Sequence, residues 1–361
     1  MADFSTTDIR AAVAAGVIDE AQAARITAIA HSRQGFRENM RADDEPFELF
    51  KGFSEIFVTV GLGILFSGII ALTAIMGNST SVPFVAAILI FISARYFTLK
   101  RRMTLPSIAL ASAFAFSVAT TVSILTFNLT EIPEASHFLK VSVAGAIAML
   151  GYFAIYRVPF ALFLFGLFGA GIAVSIAGIV APESIFASAF MQSAEGIFDL
   201  SRNPAMAMAL LIFGFIAFAG GMYFDTRDPH RISRLSACGF WLHILAAPAI
   251  VNVVVLTLLN KGDGSTGYLM AAIALSLITL IALVIDRRSF LTAGIAYIGV
   301  ILTWAINSND ASDWGFVWML LIMGAFITAI GTWWTNLRAT LMRLLPAFPF
   351  KDRLPPYAEN L

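Results

Sequence analysis

The sequence predicts an all-α integral membrane protein, a polytopic bundle of about ten transmembrane helices. Three observations lead to this fold class. Hydrophobic residues make up 59% of the 361 residues and charged residues only 13%, whereas a soluble domain carries about 25% charged residues. Uncharged runs of the length that is typical of membrane helices recur along most of the chain. Lys and Arg gather in alternate connecting segments, as in a chain that crosses the bilayer repeatedly.

Residues 1–54 differ from the rest and predict a small cytoplasmic helical hairpin with an interfacial lead-in. Gly16 is placed to end a first helix. Asp19, with Gln22 three residues later, can cap a second helix. The aromatic residues near position 50 are suited to lie at the membrane surface.

Ten predicted spans follow within residues 55–335, and a cytoplasmic tail covers residues 336–361. At about 1.5 Å rise per residue, spans of this length cover a hydrocarbon core of roughly 30 Å with moderate tilt. The predicted spans are Ile56 to Met76, Val82 to Leu99, Met103 to Phe127, Leu139 to Tyr156, Val158 to Ile179, Pro204 to Phe224, Leu235 to Leu258, Thr266 to Ile285, Phe290 to Ile306 and Trp314 to Trp334.

The distribution of basic residues predicts the orientation, because Lys and Arg accumulate on the cytoplasmic side. With the amino terminus inside, all of the 23 Lys and Arg residues except Lys140, Arg202 and Lys261 lie on that side. A missed or invented helix would scramble this alternation. The count therefore predicts ten spans with both termini in the cytoplasm. We expect the lipid bilayer as the partner of these spans, and no nucleic acid.

Two features leave alternatives open. Residues 181–203 contain an apolar stretch that is too short to span, so the segment is either an outer helix on the membrane surface or a re-entrant loop. The basic turns lie 56, 74 and 56 residues apart, which permits either repeated two-helix hairpins or a five-plus-five inverted repeat. These turns are centred on Arg101, Arg157, Arg231 and Arg287.

We predict no catalytic, cofactor-binding or metal site. All 23 carboxylates fall in the amino-terminal segment, in loops or at span ends. This placement disfavours a proton-coupled carrier with an acid at the membrane midplane. Cys238 is the only cysteine, which excludes a multi-cysteine metal site. His137 and His31 are predicted to be isolated in loops. One cytoplasmic turn holds four polar residues, which we interpret as solvated loop residues: Asp225, Asp228, His230 and Arg231.

A candidate polar site inside the membrane consists of His243, Asn252, Ser117, Thr120 and Thr121, with a helix kink at Pro248. His243 lies roughly 12 Å deep by helical rise, either as a substrate contact or titrating switch, or as a neutral histidine bonded to a neighbouring helix. Asn252 lies about 180° away from His243 on an ideal helix, so the two make one site only if the kink rotates them together. The three hydroxyl residues either line a polar path or join helices.

The chain also resembles a known group of proteins. The stretch from Ile9 to Glu20, the array of apolar helices after it and the stretch from Phe240 to His243 resemble uncharacterised bacterial multi-pass membrane proteins that are defined only as a domain of unknown function. The resemblance implies a bacterial inner membrane and carries no activity with it.

These observations predict a permease-like or channel-like protein for a small solute. The alternative is a non-transporting scaffold or sensor component that docks a cytoplasmic partner through residues 1–54. An enzyme embedded in the membrane is a third hypothesis, which we disfavour because His243 would be its only acid or base within a span. Substrate, oligomeric state and physiological role do not follow from the sequence.

Overall fold

A computed structural model describes residues 6–33, 52–75, 81–126, 134–180, 194–231, 233–261, 265–307, 313–349 and 351–357. Within these ranges the chain forms twelve α-helices and no strand. The chain divides into two units. The first unit comprises Phe47–Ala194 with Met208–Phe213, and the second comprises Met1–Pro46, Glu195–Ala207 and Gly214–Leu361.

Two short helices begin the chain, α1 over Thr6–Ala14 and α2 over Glu20–Arg33. The backbone N–H of Asp19 donates to Gln22 Oε1 at 2.9 Å, and the backbone N–H of Gln22 donates to Asp19 Oδ1 at 2.7 Å. This reciprocal pair is a capping box. Gly16 has φ +73° just after α1 ends, a conformation that glycine adopts without steric cost. Both sequence-based predictions of helix ends are confirmed, whereas most of the aromatic lead-in lies outside the described residues.

Five apolar helices form the first unit. They are α3 (Phe53–Ile75), α4 (Val82–Ala94), α5 (Thr104–Thr126), α6 (Ala135–Tyr156) and α7 (Pro159–Val180). The predicted second span continues past α4 as a π-helix, Arg95–Lys100. Pro83 and Pro159 lie in the first turns of α4 and α7, where a missing N–H breaks no helical hydrogen bond.

Five further helices follow. They are α8 (Pro204–Asp225), α9 (Arg234–Lys261), α10 (Ser265–Ile285), α11 (Ser289–Asn307) and α12 (Asp313–Leu344). The helix α12 continues beyond Trp334, where the last predicted span ends, into the predicted tail. Of residues 181–203, the structure describes only the end, where Ala194–Phe198 forms a 3-10 helix. The choice between a surface helix and a re-entrant loop therefore stays a prediction.

Nine helices among the described residues are long and apolar enough to cross a membrane. These are α3 to α10, with the π-helical extension of α4, and α12; the apolar part of α11, Ser289–Leu302, is shorter. The predicted all-α polytopic fold is confirmed, and the chain is a multi-pass membrane protein.

Four turns between consecutive helices each contain a residue with positive φ that is not glycine. These residues are Arg102 (52°), Arg157 (51°), Arg231 (55°) and Asp286 (58°). Such backbone is uncommon outside glycine. Arg157 follows Arg102 by 55 positions, and Asp286 follows Arg231 by the same 55 positions. The residues of the second pair thus each lie 129 positions after those of the first, so the spacing of these turns along α4 to α7 is repeated along α8 to α11.

Aromatic rings fill the space between α4, α5 and α6 in the first unit. We call Phe91, Phe114, Tyr152 and Tyr156 the aromatic cluster. Ring centroids in it lie 5.5 Å apart for Phe91 and Phe114, and 5.2 Å apart for Phe114 and Tyr152. The hydroxyl of Tyr156 donates to the carbonyl oxygen of Phe91 at 2.5 Å. Ring packing and this hydrogen bond join the three helices at the cluster.

Candidate functional site

The second unit contains a buried group of ionisable side chains, Asp225, His243 and Arg287, which we call the charged cluster. Asp225 is the last residue of α8, His243 lies within α9, and Arg287 lies in the turn between α10 and α11. Arg287 donates from Nε to Asp225 Oδ2 at 2.9 Å and from Nη2 to Asp225 Oδ1 at 2.5 Å. His243 Nε2 lies 3.0 Å from the same Oδ2. One carboxylate therefore joins three separate elements of the bundle.

Solvent is excluded from all three residues. The exposed fraction is 0% for His243, 1% for Arg287 and 5% for Asp225. Taking charges out of water costs several kcal/mol per ion, and a bidentate pair such as Arg287 with Asp225 offsets much of that cost. Since the carboxylate and the guanidinium balance each other, the cluster is neutral when His243 is neutral.

Glycines allow α8 and α9 to approach closely enough for this contact. A Cβ atom at Gly221 would lie 2.7 Å from both Nε2 and Cε1 of His243, and one at Gly239 would overlap the carboxylate of Asp225. The rings of Phe218 and Phe290 pack against the imidazole, with centroids 5.5 and 6.0 Å away.

A second set of charges lies next to the charged cluster in the chain, because Asp286 precedes Arg287. Asp286 Oδ2 lies 3.1 Å from Arg231 Nη1, and Oδ1 accepts a hydrogen bond of 2.7 Å from Trp334 Nε1. Arg231 also donates to the backbone carbonyl of Asp286. Arg338 Nε lies 3.8 Å from Asp286 Oδ1. We call Asp286, Arg231, Trp334 and Arg338 the Asp286 network.

Residues after α12 fold back on this helix. Arg338 donates from Nη2 to the carbonyl of Pro355 at 2.6 Å and from Nη1 to that of Pro356 at 2.9 Å. The ammonium group of Lys351 donates to the carbonyls of Met342 and Leu345 at 2.7 and 2.9 Å. These are carbonyls at the end of a helix, which a cation stabilises.

Two predictions about polar residues are wrong. Asp225 and Asp228 are not solvated loop residues, since they are 5% and 1% exposed. Asp228 Oδ2 accepts hydrogen bonds of 2.7 Å from the backbone N–H and the hydroxyl of Ser233. His137 is not an isolated loop residue either. It lies in α6, and its ring nitrogens are 3.1 Å from the hydroxyls of Ser123 and Thr126.

The residues of the predicted polar site have separate partners. His243 contacts Asp225, whereas the side-chain oxygen of Asn252 accepts a hydrogen bond of 2.9 Å from the Tyr297 hydroxyl. Ser117, Thr120 and Thr121 lie on α5 in the first unit, and the two threonine hydroxyls donate to carbonyls of their own helix. Pro248 lies inside α9. The polar path along α5 stays a prediction.

Another buried carboxylate, Asp199, stabilises the segment before α8. It accepts hydrogen bonds from Ser201 and from Asn260 Nδ2, at 2.8 Å for the latter, and Arg202 lies 3.4 Å away. Burial alone would raise the pKa of Asp199, but these donors and the arginine outweigh it and hold the pKa below its ordinary value. Within the described part of the chain, no group of three or more His, Cys, Asp or Glu residues could hold a metal ion.

The fold and the charged cluster together define a multi-pass helical membrane protein with a buried ionic centre. Comparison of the chain with protein-family models, curated proteins and solved structures finds no match in any of the three. The resemblance to bacterial membrane proteins of unknown function therefore stays a prediction, and the function is argued from the cluster.

Proposed function

We propose that the chain is a permease-like protein for a small polar solute and that the charged cluster is its polar centre. The carrying observation is the complete burial of Asp225, His243 and Arg287 among apolar helices. Ionisable residues within membrane segments are costly and commonly mark ion or substrate pathways. For stability alone, apolar residues of similar volume often serve as well as a buried ion pair.

The proposed setting is a bacterial inner membrane with both termini in the cytoplasm. The supporting observation is the placement of nearly all of the 23 Lys and Arg residues in alternate connections. In this orientation the charged cluster lies toward the cytoplasmic end of α8 and α9. Access to it from the cytoplasm requires those two helices to separate.

The geometry suggests how such a permease works. In the closed arrangement, Asp225 and Arg287 satisfy each other. When α8 moves away from α9 and from the turn that follows α10, the guanidinium fork and the carboxylate become available to polar groups of a solute. Binding energy would thus be gained in the open form only, which is the requirement for a solute to shift the population between two conformations.

Screening of the detergent-purified protein against a library of small solutes tests this proposal. A ligand at 100 times its dissociation constant stabilises by about 2.7 kcal/mol. We expect a saturable shift with one chemical class, followed by uptake of that class into proteoliposomes. Both should be lost in His243→Ala and retained in Arg288→Gln, which changes the neighbouring arginine. A flat response with no uptake contradicts the proposal.

A scaffold or sensor role is the second candidate, because the amino-terminal hairpin is attached to the same helix that carries His243. Arg234 Nη2 at the start of α9 lies 2.5 Å from Glu20 Oε1 in α2. A partner bound to residues 1–54 could therefore act on α9. Deletion of residues 1–40 should then abolish capture of a partner and leave membrane insertion intact. Absence of a partner with the full-length protein contradicts this role.

A further inference from the structure

The hydrogen bonds of the charged cluster fix the protonation of one imidazole nitrogen. Asp225 Oδ2 lies 3.0 Å from His243 Nε2 and 2.9 Å from Arg287 Nε. A carboxylate oxygen only accepts hydrogen bonds, so Nε2 carries a hydrogen. A further proton can attach only at Nδ1. That atom is fully buried and has no hydrogen-bond partner among the residues that the structure describes.

The described groups around His243 do not offset the positive charge that a second proton would add to the imidazole. Asp225 from α8 is the facing carboxylate, and Arg287 from the turn after α10 already neutralises it. Phe218 from α8 and Phe290 from α11 contribute only rings. Beyond Arg287, the carboxylate of Asp286 lies between the guanidinium groups of Arg231 and Arg338. The charged cluster and the Asp286 network together contain three arginines and two carboxylates. Positive charges therefore already outnumber negative ones before His243 takes up a proton.

We infer that His243 is a proton-binding site and that proton binding opens the charged cluster. In the closed form, the imidazolium competes with Arg287 for Asp225 and its Nδ1–H lacks an acceptor. Separation of α8 from α9 removes both penalties, since water reaches Nδ1 and Asp225 pairs with the imidazolium. The proton therefore binds the open form more tightly and shifts the population toward it. Histidine is suited to this role because its charge changes between pH 5 and 8.

This inference deepens the proposed function by naming the proton as the ion that drives opening. It rests on the proposed function for what the opening accomplishes, whereas the proton-binding site requires no solute. The two ideas can therefore fail separately. A readout of opening in the absence of solute tests the site.

Cys238 supplies that readout without any engineered label. It is the only cysteine of the chain, it is 3% exposed in α9, and it precedes Gly239, which packs against Asp225. The rate of its alkylation by a maleimide, divided by the rate for glutathione at the same pH, cancels the titration of an ordinary thiol. We expect this ratio to rise at least about tenfold in the wild type between pH 8 and pH 5.

Glutamine at position 243 is the matched variant. Its amide nitrogen can donate to Asp225 as Nε2 does, but it binds no proton in this range. In His243→Gln we expect the alkylation ratio to change less than about twofold over the same range. His137→Gln and His230→Gln control for other histidines and should retain the wild-type response. An equal pH response in wild type and His243→Gln, or no response in the wild type, overturns the proton-binding site.

Proteoliposomes that contain a pH-sensitive dye separate this inference from the proposed function. Proton movement that accompanies solute uptake, and that is lost in His243→Gln, supports both. A pH response of Cys238 without uptake of any solute keeps the proton site and removes the permease. Uptake that ignores the proton gradient, together with an unresponsive Cys238, keeps the permease and overturns the proton site.

Discussion

The aromatic cluster of the first unit and the charged cluster of the second share one position of the spacing that the turns repeat. Phe114 in α5 precedes His243 in α9 by the same 129 positions that relate Arg102 to Arg231. Phe114 packs against Phe91, with ring centroids 5.5 Å apart, and Phe91 corresponds to Gly220. Phe114 thus meets a second ring, whereas the imidazole of His243 meets α8 at Gly221, the residue after Gly220.

The two clusters therefore differ in the contacts that join their helices: uncharged groups in the aromatic cluster and buried ions in the charged cluster. Rings, the hydroxyl of Tyr156 and the contacts of His137 with two hydroxyls of α5 join α4, α5 and α6. The corresponding helices of the second unit carry ions instead, and buried ions bring a desolvation cost that rings do not. If the charged cluster serves the proposed function rather than packing, its removal should affect the pH response more than stability.

Loss of one partner of the buried pair should have the largest effect. Arg287→Gln leaves the carboxylate of Asp225 in a closed site without its counter-ion, and we expect the free energy of unfolding to fall by about 3–5 kcal/mol. Arg288→Gln is the control. Arg288 is partly exposed and lies 5.6 Å from the Trp334 ring centroid, an interaction of about 0.5–1 kcal/mol. Denaturation in detergent measures both, and equal losses would contradict the account.

A methyl group between α8 and α9 should have an intermediate effect. Gly221→Ala places a Cβ atom 2.7 Å from His243 Nε2, so the ring or the helix must shift, at a cost of about 1–3 kcal/mol. Gly220→Ala meets only the flexible end of Leu242, at 3.3 Å, and should cost less than about 1 kcal/mol. Thermal unfolding of the two variants checks the difference. A larger loss in Gly220→Ala would mean that the contact with His243 is not tight.

The sequence predicted the helices well because their signals are local. The capping box of Asp19 and Gln22 and the helix end at Gly16 each depend on residues a few positions apart. The presence of a histidine within a span also drew attention to His243. Such signals require no knowledge of which helices are neighbours.

The partners of His243 could not be predicted in the same way. Asp225 is 18 positions from His243, and Arg287 is 62 positions from Asp225. Helical periodicity shows which residues share a face but not what that face meets. Charged residues in a connecting turn are usually solvated, so the sequence favours solvated loop positions for Asp225 and Asp228. One signal was available, namely Gly221 and Gly239, which mark a close approach of α8 and α9 next to two ionisable groups.

A smaller effect is expected for the contact between α12 and the tail, which involves Arg338 of the Asp286 network. Arg338 donates to two successive carbonyls, those of Pro355 and Pro356, and lysine cannot reproduce this fork. Arg338→Lys should cost about 1 kcal/mol and speed tryptic cleavage after Arg353 several-fold. Arg343→Lys, five positions further along α12, should change neither. Unchanged cleavage in Arg338→Lys would show that Lys351 alone holds the tail.

The smallest effect on stability is expected from removing the whole charged cluster. In Asp225→Leu/His243→Phe/Arg287→Met the three ions give way to apolar residues of similar volume, as in the first unit, and we expect the free energy of unfolding to stay within about 1 kcal/mol of the wild-type value. The pH response of Cys238 should disappear. A triple variant as unstable as Arg287→Gln would show that the second unit needs its ions to fold. A stable triple variant without the response would mean that the helices fold without the charges, which then serve proton binding alone.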